Sequence, residues 1–247
     1  MKQAYITFCA ELNDFLLPER RSQTLSWAFE VSGSVKDVLE SIGVPHTEVD
    51  VILANGKSVD FTYRVRDGDR ITVYPPAQSI GTSPLVHLQP RPPLEARFIA
   101  DTHLGRLTAY LRMLGFDALY DKSFQDENLA QISASEDRTL LTRDRGLLKR
   151  NEVVRGYFLR ATDPARQLAE VIQRFALKAS IRPFRLCIHC NTLLQATSKE
   201  SIADRLLSET KQYYDEFYVC PQCARIYWKG SHYRRMRRFI DSVTASA

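Results

Sequence analysis

Apolar and polar positions alternate in short runs through the N-terminal third of the chain, apart from one stretch with helical spacing. That stretch is residues 35–42, which Ser34 can cap and Gly43 can end. Strands are predicted on either side of it, at Ala4–Cys9, Leu25–Val31, Val49–Leu53 and Arg70–Tyr74. The pattern therefore predicts a small mixed sheet wrapped on one helix, an α+β domain that we place at residues 1–78.

Residues 77–96 have no apolar periodicity and are rich in Pro, Ser, Gln and Thr. They include Pro90, Pro92 and Pro93. This composition is typical of a linker, which we place at residues 79–96. A second domain is expected to begin after it.

Beyond the linker, short apolar runs alternate with segments of helical spacing. Strands are predicted at Arg97–Ala100, Phe116–Tyr120, Thr139–Thr142 and Tyr157–Leu159. Helices are predicted up to Leu114, near 126–135, near 144–150 and from Asp163-Pro164 onwards. Such alternation is typical of an α/β domain with a mostly parallel sheet covered by helices on both faces. We place this domain at residues 97–180.

Four carboxylates fall where ligands collect in such a sheet, beyond the carboxyl ends of the strands. Asp101 directly follows one strand, Asp144 follows another by two residues, and Asp126 and Glu127 begin the helix between them. Converging carboxylates suit Mg²⁺ and phosphodiester hydrolysis, because hard divalent cations prefer oxygen ligands. The alternative is structural: Asp126 caps its helix, and the other two aspartates are turn residues.

Cations crowd the same segments of the chain. They are Arg106, Arg112, Arg143, Arg145 and Lys149. Guanidinium and ammonium groups bind phosphates, which makes these residues candidates for RNA contact. Solvated helix faces would be basic as well, so the alternative of an ordinary polar surface stays open.

Two C-x-x-C pairs lie near the C-terminal end, Cys187 with Cys190 and Cys220 with Cys223. Four thiolates form a closed tetrahedral zinc site, which leaves no position for substrate and is therefore structural. The alternative is unrelated thiols or a redox pair. Thiols that hold metal fit a reducing compartment, so we expect a cytoplasmic protein. Cys9, which lies outside the two pairs, is expected to be a small buried residue.

The region 181–247 combines this predicted zinc ribbon with a basic, aromatic C-terminal segment. Residues 201–214 have the spacing of an amphipathic helix. The arginines of the last segment are Arg234, Arg235, Arg237 and Arg238, with Tyr227, Trp228 and Tyr233 nearby. Such cations attract phosphates and exposed rings stack on unpaired bases, which favours RNA contact. The alternative is a basic helix whose aromatic residues cover the core of the ribbon.

Composition limits the choice of function class only mildly. The formal net charge of +5 and the pI of about 9.0 are compatible with an acidic partner. No run approaches the roughly 20 apolar residues of a membrane-spanning helix, and residues 1–20 lack the features of a secretory signal. We therefore expect neither a membrane protein nor an exported one.

The N-terminal domain resembles the ubiquitin-like β-grasp family of sulfur carriers. The resemblance rests on V-D-V-I-L-A-N-G-K at 49–57 and R-V-R-D-G-D-R-I-T-V-Y-P-P at 64–76. Those carriers act through a free C-terminal Gly-Gly, whereas here the strand runs into Pro75-Pro76 and the chain continues. A docking or positioning role is therefore expected, towards a protein partner, RNA or the chain's own second domain.

The rest of the chain resembles the Mut-seven C-terminal ribonuclease family. The motifs are F-I-A-D-T-H-L-G-R-L-T-A-Y-L-R-M-L-G-F-D at 98–117, Q-D-E-N-L at 125–129, L-L-T-R-D-R-G-L-L at 140–148 and the late C-x-x-C pairs. That family is considered a branch of the PIN-like nucleases with an appended zinc ribbon, and some members carry the ubiquitin-like domain in front. The resemblance implies that Asp101, Asp126 and Asp144 bind Mg²⁺ or Mn²⁺, with Glu127 as an alternate to Asp126.

The leading hypothesis is a metal-dependent ribonuclease that cleaves RNA, with transfer RNA or ribosome-associated RNA among its candidate substrates. A non-catalytic RNA- or ribosome-binding module is the alternative, since it would need the same basic and aromatic residues. A phosphotransfer enzyme is a third hypothesis. It is weakened because Asp101-Thr102-His103 lacks the second aspartate of the D-x-D phosphatase motif.

Overall fold

The computed structural model describes residues 1–76, 80, 85–91, 93 and 95–246. Parts of the predicted linker, at 77–79, 81–84, 92 and 94, lie outside the described residues. The chain forms two compact parts. The first is made by residues 1–94 with 125–158, and the second by residues 95–124 with 159–247.

Strands and helices follow the predicted order closely. The strands are β1 (Lys2–Phe8), β2 (Thr24–Phe29), β3 (Val51–Ala54), β4 (Lys57–Val59), β5 (Arg70–Tyr74), β6 (Arg97–Ala100), β7 (Asp117–Leu119), β8 (Thr139–Thr142), β9 (Gly156–Phe158), β10 (Gln195–Thr197), β11 (Phe217–Val219) and β12 (Ile226–Trp228). The α-helices are α1 (Val35–Ile42), α2 (Gly105–Met113), α3 (Asp126–Ser135), α4 (Arg145–Leu148), α5 (Pro164–Arg174), α6 (Ser208–Tyr213) and α7 (Ser231–Ser246). No helix within the described ranges combines the length and the apolar character needed to cross a membrane.

The N-terminal sheet has the strand order β2-β1-β5-β3-β4, with β1 and β5 parallel and the other pairs antiparallel. Helix α1 begins where the Ser34 hydroxyl accepts a hydrogen bond from Asp37 N, and it ends at Gly43 with φ of +119°. Its apolar face packs on the sheet around the buried residues Leu39, Ile52 and Ile71. This confirms the predicted mixed sheet on one helix. The short strand β4 was not predicted, because its three residues carry no alternation.

Residues 88 and 89 of the predicted linker pack against this first domain. Leu88 N donates to Asp50 O at 2.8 Å, and the Leu88 side chain contacts the domain core. The Gln89 amide donates to His46 O and to Val49 O, at 3.1 and 2.6 Å. Residues 88 and 89 are therefore held by the β-grasp sheet along the loop that precedes β3.

Residues 125–158, from the predicted nuclease domain, belong to the same compact part as the β-grasp sheet. Strands β8 and β9 pair in parallel there. The Glu48 carboxylate accepts a hydrogen bond from Phe158 N at 2.6 Å, and His46 Nε2 lies 2.9 Å from Val153 O. Both Glu48 and His46 are buried. The β-grasp domain therefore contacts a segment of its own chain, which is one of the three docking alternatives raised by the sequence.

In the other compact part, β6 and β7 pair in parallel, and helix α5 packs against both α2 and α7. The parallel pairing of β6 with β7 here, and of β8 with β9 in the first part, confirms the predicted α/β class. Gly115 follows the end of α2 with φ of +90°, and a Cβ there would overlap Arg182 O. Glycine is therefore required where the chain passes from α2 towards β7.

Strands β10, β11 and β12 form an antiparallel sheet at the C-terminal end. Its small core contains Ile202, Leu206 and Phe217. The single helix predicted at 201–214 is wrong, because the structure has a 3-10 helix at Glu200–Arg205 and then the separate helix α6. The break occurs because Leu206 and Leu207 are extended, which turns Leu206 into the core while Leu207 stays exposed.

Candidate functional site

The two C-x-x-C loops have the same backbone geometry. In the first loop, Cys187 N donates to Thr192 O at 2.8 Å, and Asn191 N donates to Cys187 O at 2.9 Å. The second loop repeats both bonds at the equivalent positions, each at 2.9 Å. Asn191 and its counterpart Ala224 both have a left-handed backbone, with φ of +68° and +58°. The chain therefore folds into two matching knuckles that each present a pair of thiols.

The four thiols of these knuckles converge on one point. The Sγ atoms of Cys187, Cys190, Cys220 and Cys223 all lie within 4.8 Å of one another. Cys187 Sγ is 3.6 Å from Cys223 Sγ, and Cys190 Sγ is 3.3 Å from Cys220 Sγ. Tetrahedral zinc with Zn–S bonds of about 2.3 Å separates its sulfurs by about 3.8 Å. The cluster can therefore hold a zinc-type ion.

The first knuckle is tied to α2 and β7. Arg112, a predicted phosphate ligand, is instead buried, and its guanidinium donates to Ala118 O at 2.8 Å and to His189 O at 2.7 Å. Burial lowers the pKa of Arg112. The Asn191 side chain donates to Asp117 Oδ1 at 2.6 Å. Arg112 and Asn191 thus join the first knuckle to α2 and β7.

Tyr227, whose ring was grouped with the candidates for base stacking, has a different position in the structure. Its hydroxyl lies 3.1 Å from Cys187 Sγ. Burial is the main cause that raises the pKa of Tyr227, and the hydrogen bond to Cys187 adds to it. The neutral phenol can therefore donate to a metal-bound thiolate. Sequence spacing did not reveal this role, because nothing in the C-x-x-C motif specifies a tyrosine on β12.

The four candidate arginines of the C-terminal segment lie on α7. Arg234, Arg235, Arg237 and Arg238 are all exposed. Arg237 Nε lies 3.5 Å from the Asp241 carboxylate, one helical turn away. The predicted basic segment is therefore a solvated helix face with its cations directed outward.

Asp101 immediately follows β6, as predicted. It precedes the 3-10 turn Thr102–Leu104, and its Oδ1 accepts a hydrogen bond from Thr102 Oγ1 at 3.1 Å. The Tyr120 hydroxyl donates to Thr102 O at 2.8 Å. The turn that presents Asp101 is therefore fastened to the end of β7.

Asp144 is the N-cap of α4. Its Oδ1 accepts hydrogen bonds from Gly146 N at 2.6 Å and Leu147 N at 3.4 Å. Thr142 Oγ1 accepts a hydrogen bond from Asp144 N at 2.9 Å. The side chain is exposed, and among the described residues its Oδ2 has no hydrogen-bond partner. Asp144 is thus an exposed capping residue.

Asp126 and Glu127 occupy the first turn of α3. The N-cap is Gln125, which forms a capping box with Asn128, so the alternative in which Asp126 caps the helix is wrong. Glu127 Oε1 accepts a hydrogen bond from Arg150 Nη1 at 3.1 Å. A hydrogen bond from its own backbone N–H, together with nearby Arg150, lowers the pKa of Glu127. Both carboxylates are exposed.

Comparison with protein-family models identifies the family of this chain. The model of the Mut7-C RNAse domain matches residues 96–240, more than half of the 247-residue chain. The chain belongs to the Mut7-C RNAse family. The model of the Mut7-C ubiquitin domain matches residues 1–81, which confirms the resemblance of both parts. Comparison with curated proteins and with solved structures gives no match.

The Mut7-C RNAse match includes every carboxylate and every clustered cysteine described above. At the level of the family, the protein is therefore a ribonuclease-type enzyme, and RNA is the implied substrate. The match supports neither a particular metal nor a particular RNA.

Two of the predicted phosphate-binding cations of the Mut7-C RNAse domain contact backbone carbonyls of the β-grasp domain. Arg145 donates to Phe15 O at 2.8 Å, and its guanidinium lies 5.1 Å from the centre of the Phe15 ring and 5.5 Å from that of Phe158. Lys149 Nζ donates to Glu40 O at 2.6 Å. Arg106 and Arg143, in contrast, are exposed.

Arg145→Met should therefore lower the free energy of unfolding by more than it reduces the magnitude of the free energy of RNA binding. The variant keeps the aliphatic stem and loses hydrogen bonds and a cation–π contact, so we expect a loss of about 1–3 kcal/mol in the free energy of unfolding. Urea unfolding measures this loss, and electrophoretic mobility shift measures RNA affinity. Arg106→Met is the matched control, for which we expect the opposite pattern. If Arg145→Met left the urea midpoint unchanged and only weakened RNA binding, a structural role for Arg145 would be wrong.

Proposed function

We propose that the protein is a PIN-like, metal-dependent ribonuclease in which Asp101, Asp126 and Asp144 supply the carboxylates for Mg²⁺ or Mn²⁺. The main support is that the Mut7-C RNAse match includes all three acids. Each is a hard oxygen donor of the kind these cations prefer, and none is fully buried. A cation held there would supply Lewis acidity towards water and the phosphate.

Asp144 has the clearest local geometry for this role. Its Oδ1 is held by two backbone N–H groups of α4, and the residue is exposed. A carboxylate held in this way loses little conformational freedom when its other oxygen binds a cation. Arg145, the next residue, is anchored on Phe15. The β-grasp domain therefore has a positioning role in our proposal, since it holds the helix that begins at Asp144.

Asp126 is preferred to Glu127 as the third carboxylate. Glu127 forms an ion pair with Arg150, and binding a cation would have to compete with that pair. Asp126 is not needed for capping, because Gln125 and Asn128 satisfy the start of α3. A cation bound by Asp126 would therefore displace no capping interaction of α3.

The ribbon has two roles in the proposed enzyme. A structural zinc ion held by the four thiolates fixes the two knuckles, and the exposed arginines of α7 bind RNA phosphates. Thiolate-bound zinc suits a reducing compartment, which supports a cytoplasmic location. The same arginines also favour the second candidate function, a non-catalytic module that binds RNA or the ribosome.

Cleavage assays on matched acid variants test this proposal. Labelled transfer RNA and unstructured RNA are incubated with zinc-loaded protein in metal-depleted buffer, with and without added Mg²⁺ or Mn²⁺. We expect cleavage only with added metal, and a decrease of about 100-fold in Asp126→Asn, since even groups that only orient metal ligands contribute about 10- to 100-fold. Glu127→Gln should stay within about threefold of the parent protein.

Two results would contradict the proposal. Equal RNA binding by all three proteins, without cleavage of any RNA in either metal, would favour the binding module. Loss of cleavage in Glu127→Gln but not in Asp126→Asn would exchange the two residues in the metal site.

A further inference from the structure

A cavity of about 420 Å³ lies beside the cysteine cluster, within the C-terminal part of the chain. Its walls include Phe184, Leu193, Tyr218, Trp228 and Tyr233, and we call it the aromatic cavity. Tyr218 and Trp228 are 39% and 38% exposed, and Leu193 is 61% exposed. Large apolar side chains at such exposure, gathered around one concave site of this volume, are typical of a ligand-binding pocket.

Three of the aromatic side chains that line the aromatic cavity contact other parts of the chain or have a restricted backbone. The Phe184 and Tyr233 rings lie 4.5 Å apart, which joins the chain before the first knuckle to the start of α7. Phe184 has φ of +62°, a left-handed conformation that is rare for a bulky residue. The Trp228 indole lies over Gly230, where an added Cβ would be 2.8 Å from Nε1. An aromatic ligand would therefore meet rings that already pack against neighbouring residues.

Positive charge continues from this cavity into a neighbouring groove. The groove is lined by Tyr233 with Arg234, Arg235, Arg237 and Arg238, and we call it the arginine groove. Tyr233 and Arg237 line both the cavity and the groove. The ion pairs of Lys229 with Glu216 and of Arg237 with Asp241 are exposed, so the two cations can exchange these carboxylates for phosphates at small cost.

We propose that the aromatic cavity binds one unpaired nucleobase of the RNA and that the adjoining phosphates lie in the arginine groove. This inference rests on the proposed function, because it assigns a binding site for the RNA substrate. Charge complementarity decides the occupant: stacking rings beside a row of arginines match the alternation of base and phosphate in single-stranded RNA. An acidic peptide would satisfy the arginines and leave the rings without an aromatic partner.

Trp228 fluorescence provides a direct test. The chain has two tryptophans, so Trp27→Phe leaves Trp228 as the single reporter. Zinc-loaded protein is titrated with a short oligoadenylate in buffer without Mg²⁺ or Mn²⁺, so that binding is measured without cleavage. We expect quenching by the oligoadenylate, and much weaker quenching by inorganic polyphosphate, polyglutamate or a blunt RNA duplex. Equal quenching by polyphosphate or polyglutamate would overturn the proposal.

Affinity measurements on variants complete the test. Trp228→Leu should bind the oligoadenylate roughly 5- to 100-fold more weakly, the range measured for loss of one base-stacking ring, and Trp228→Phe should lie between it and the parent. Tyr213→Leu is the control, because Tyr213 is 70% exposed on α6 and does not line the cavity. Zinc content and the midpoint of thermal unfolding should match the parent in every variant compared. Parent-like affinity in Trp228→Leu would overturn the base site.

The same proteins separate this inference from the ribonuclease proposal. Quenching with the expected ligand preference but without cleavage in either metal would keep the base site and contradict the nuclease. Cleavage of RNA by Trp228→Leu with an unchanged KM would keep the nuclease and contradict the base site.

Discussion

Cys220→Ser is expected to abolish zinc binding and to unfold the C-terminal ribbon. Cys220 is buried and contributes one of four converging thiolates. Apparent binding energies of structural zinc sites are about 10–16 kcal/mol, which is comparable with the whole stability of a domain. We therefore expect the midpoint of thermal unfolding to fall by about 10 °C or more.

The fifth cysteine provides the control for this substitution. Cys9 lies outside the cluster, next to the end of β1, and burial raises the pKa of its thiol. Cys9→Ala should keep one zinc ion per chain, as measured by atomic emission, and should change the unfolding midpoint by only a few degrees. A Cys220→Ser protein that still holds one zinc ion and unfolds at the parent temperature would rule out the four-thiolate site.

The effect of zinc loss should extend beyond the ribbon. Arg112 on α2 is buried and donates to carbonyls of the first knuckle, and Asn191 in that knuckle bonds to Asp117 on β7. If the knuckle loses its order, the Arg112 guanidinium loses hydrogen bonds while it remains buried, which is costly. Backbone amides of α2 and β7 should therefore exchange faster in the zinc-free protein.

Much of the fold could be predicted from the sequence because its signals are local. The cap at Ser34, the glycine at Gly43 and the Asp163-Pro164 start of α5 each specify a helix boundary through the chemistry of one or two residues. Strand β4 was missed because its three residues carry no alternation, although it pairs with β3 across a short turn. The break at Leu206 was missed because it depends on packing with Phe217, which is more distant in sequence. Local sequence patterns do not predict such packing.

For the candidate site, the sequence predicted which residues belong to it better than it predicted which groups their side chains contact. The C-x-x-C spacing led directly to the thiol cluster, because tetrahedral coordination needs those four side chains. The roles of Arg112 and Arg145 could not be predicted in the same way. An arginine that binds phosphate and an arginine that binds backbone carbonyls cannot be distinguished in the sequence. Only the fold shows which acceptors lie within reach of the guanidinium.

The β-grasp domain illustrates the same limit. Its sequence predicted a fold and a docking or positioning role, and it left the docking partner open. The structure shows His46 and Glu48 bonded to the segment that follows α4, and Arg145 bonded to Phe15. No local pattern marks these residues, because buried polar groups are recognised only through their partners.

Asp144→Asn should reduce metal-dependent cleavage by about 100-fold or more and leave RNA affinity in metal-free buffer unchanged. Asparagine caps helices about as well as aspartate, so the hydrogen bonds to Gly146 N and Leu147 N should persist. The change then removes the negative charge from Oδ2 while α4 keeps its place. Initial cleavage rates at several Mg²⁺ and Mn²⁺ concentrations measure the effect.

Asp163→Asn is the matched control for this substitution. Asp163 caps α5 through the same pair of bonds, to Ala165 N and Arg166 N, each at 3.0 Å. An aspartate that acts only as a cap should therefore tolerate asparagine at either position, with cleavage within about twofold of the parent. If both variants cleave RNA at the parent rate, Asp144 is a structural cap and the proposed carboxylate site is wrong. If Asp144→Asn alone loses activity, the cap geometry cannot explain the loss, and the charge on Asp144 is required for catalysis.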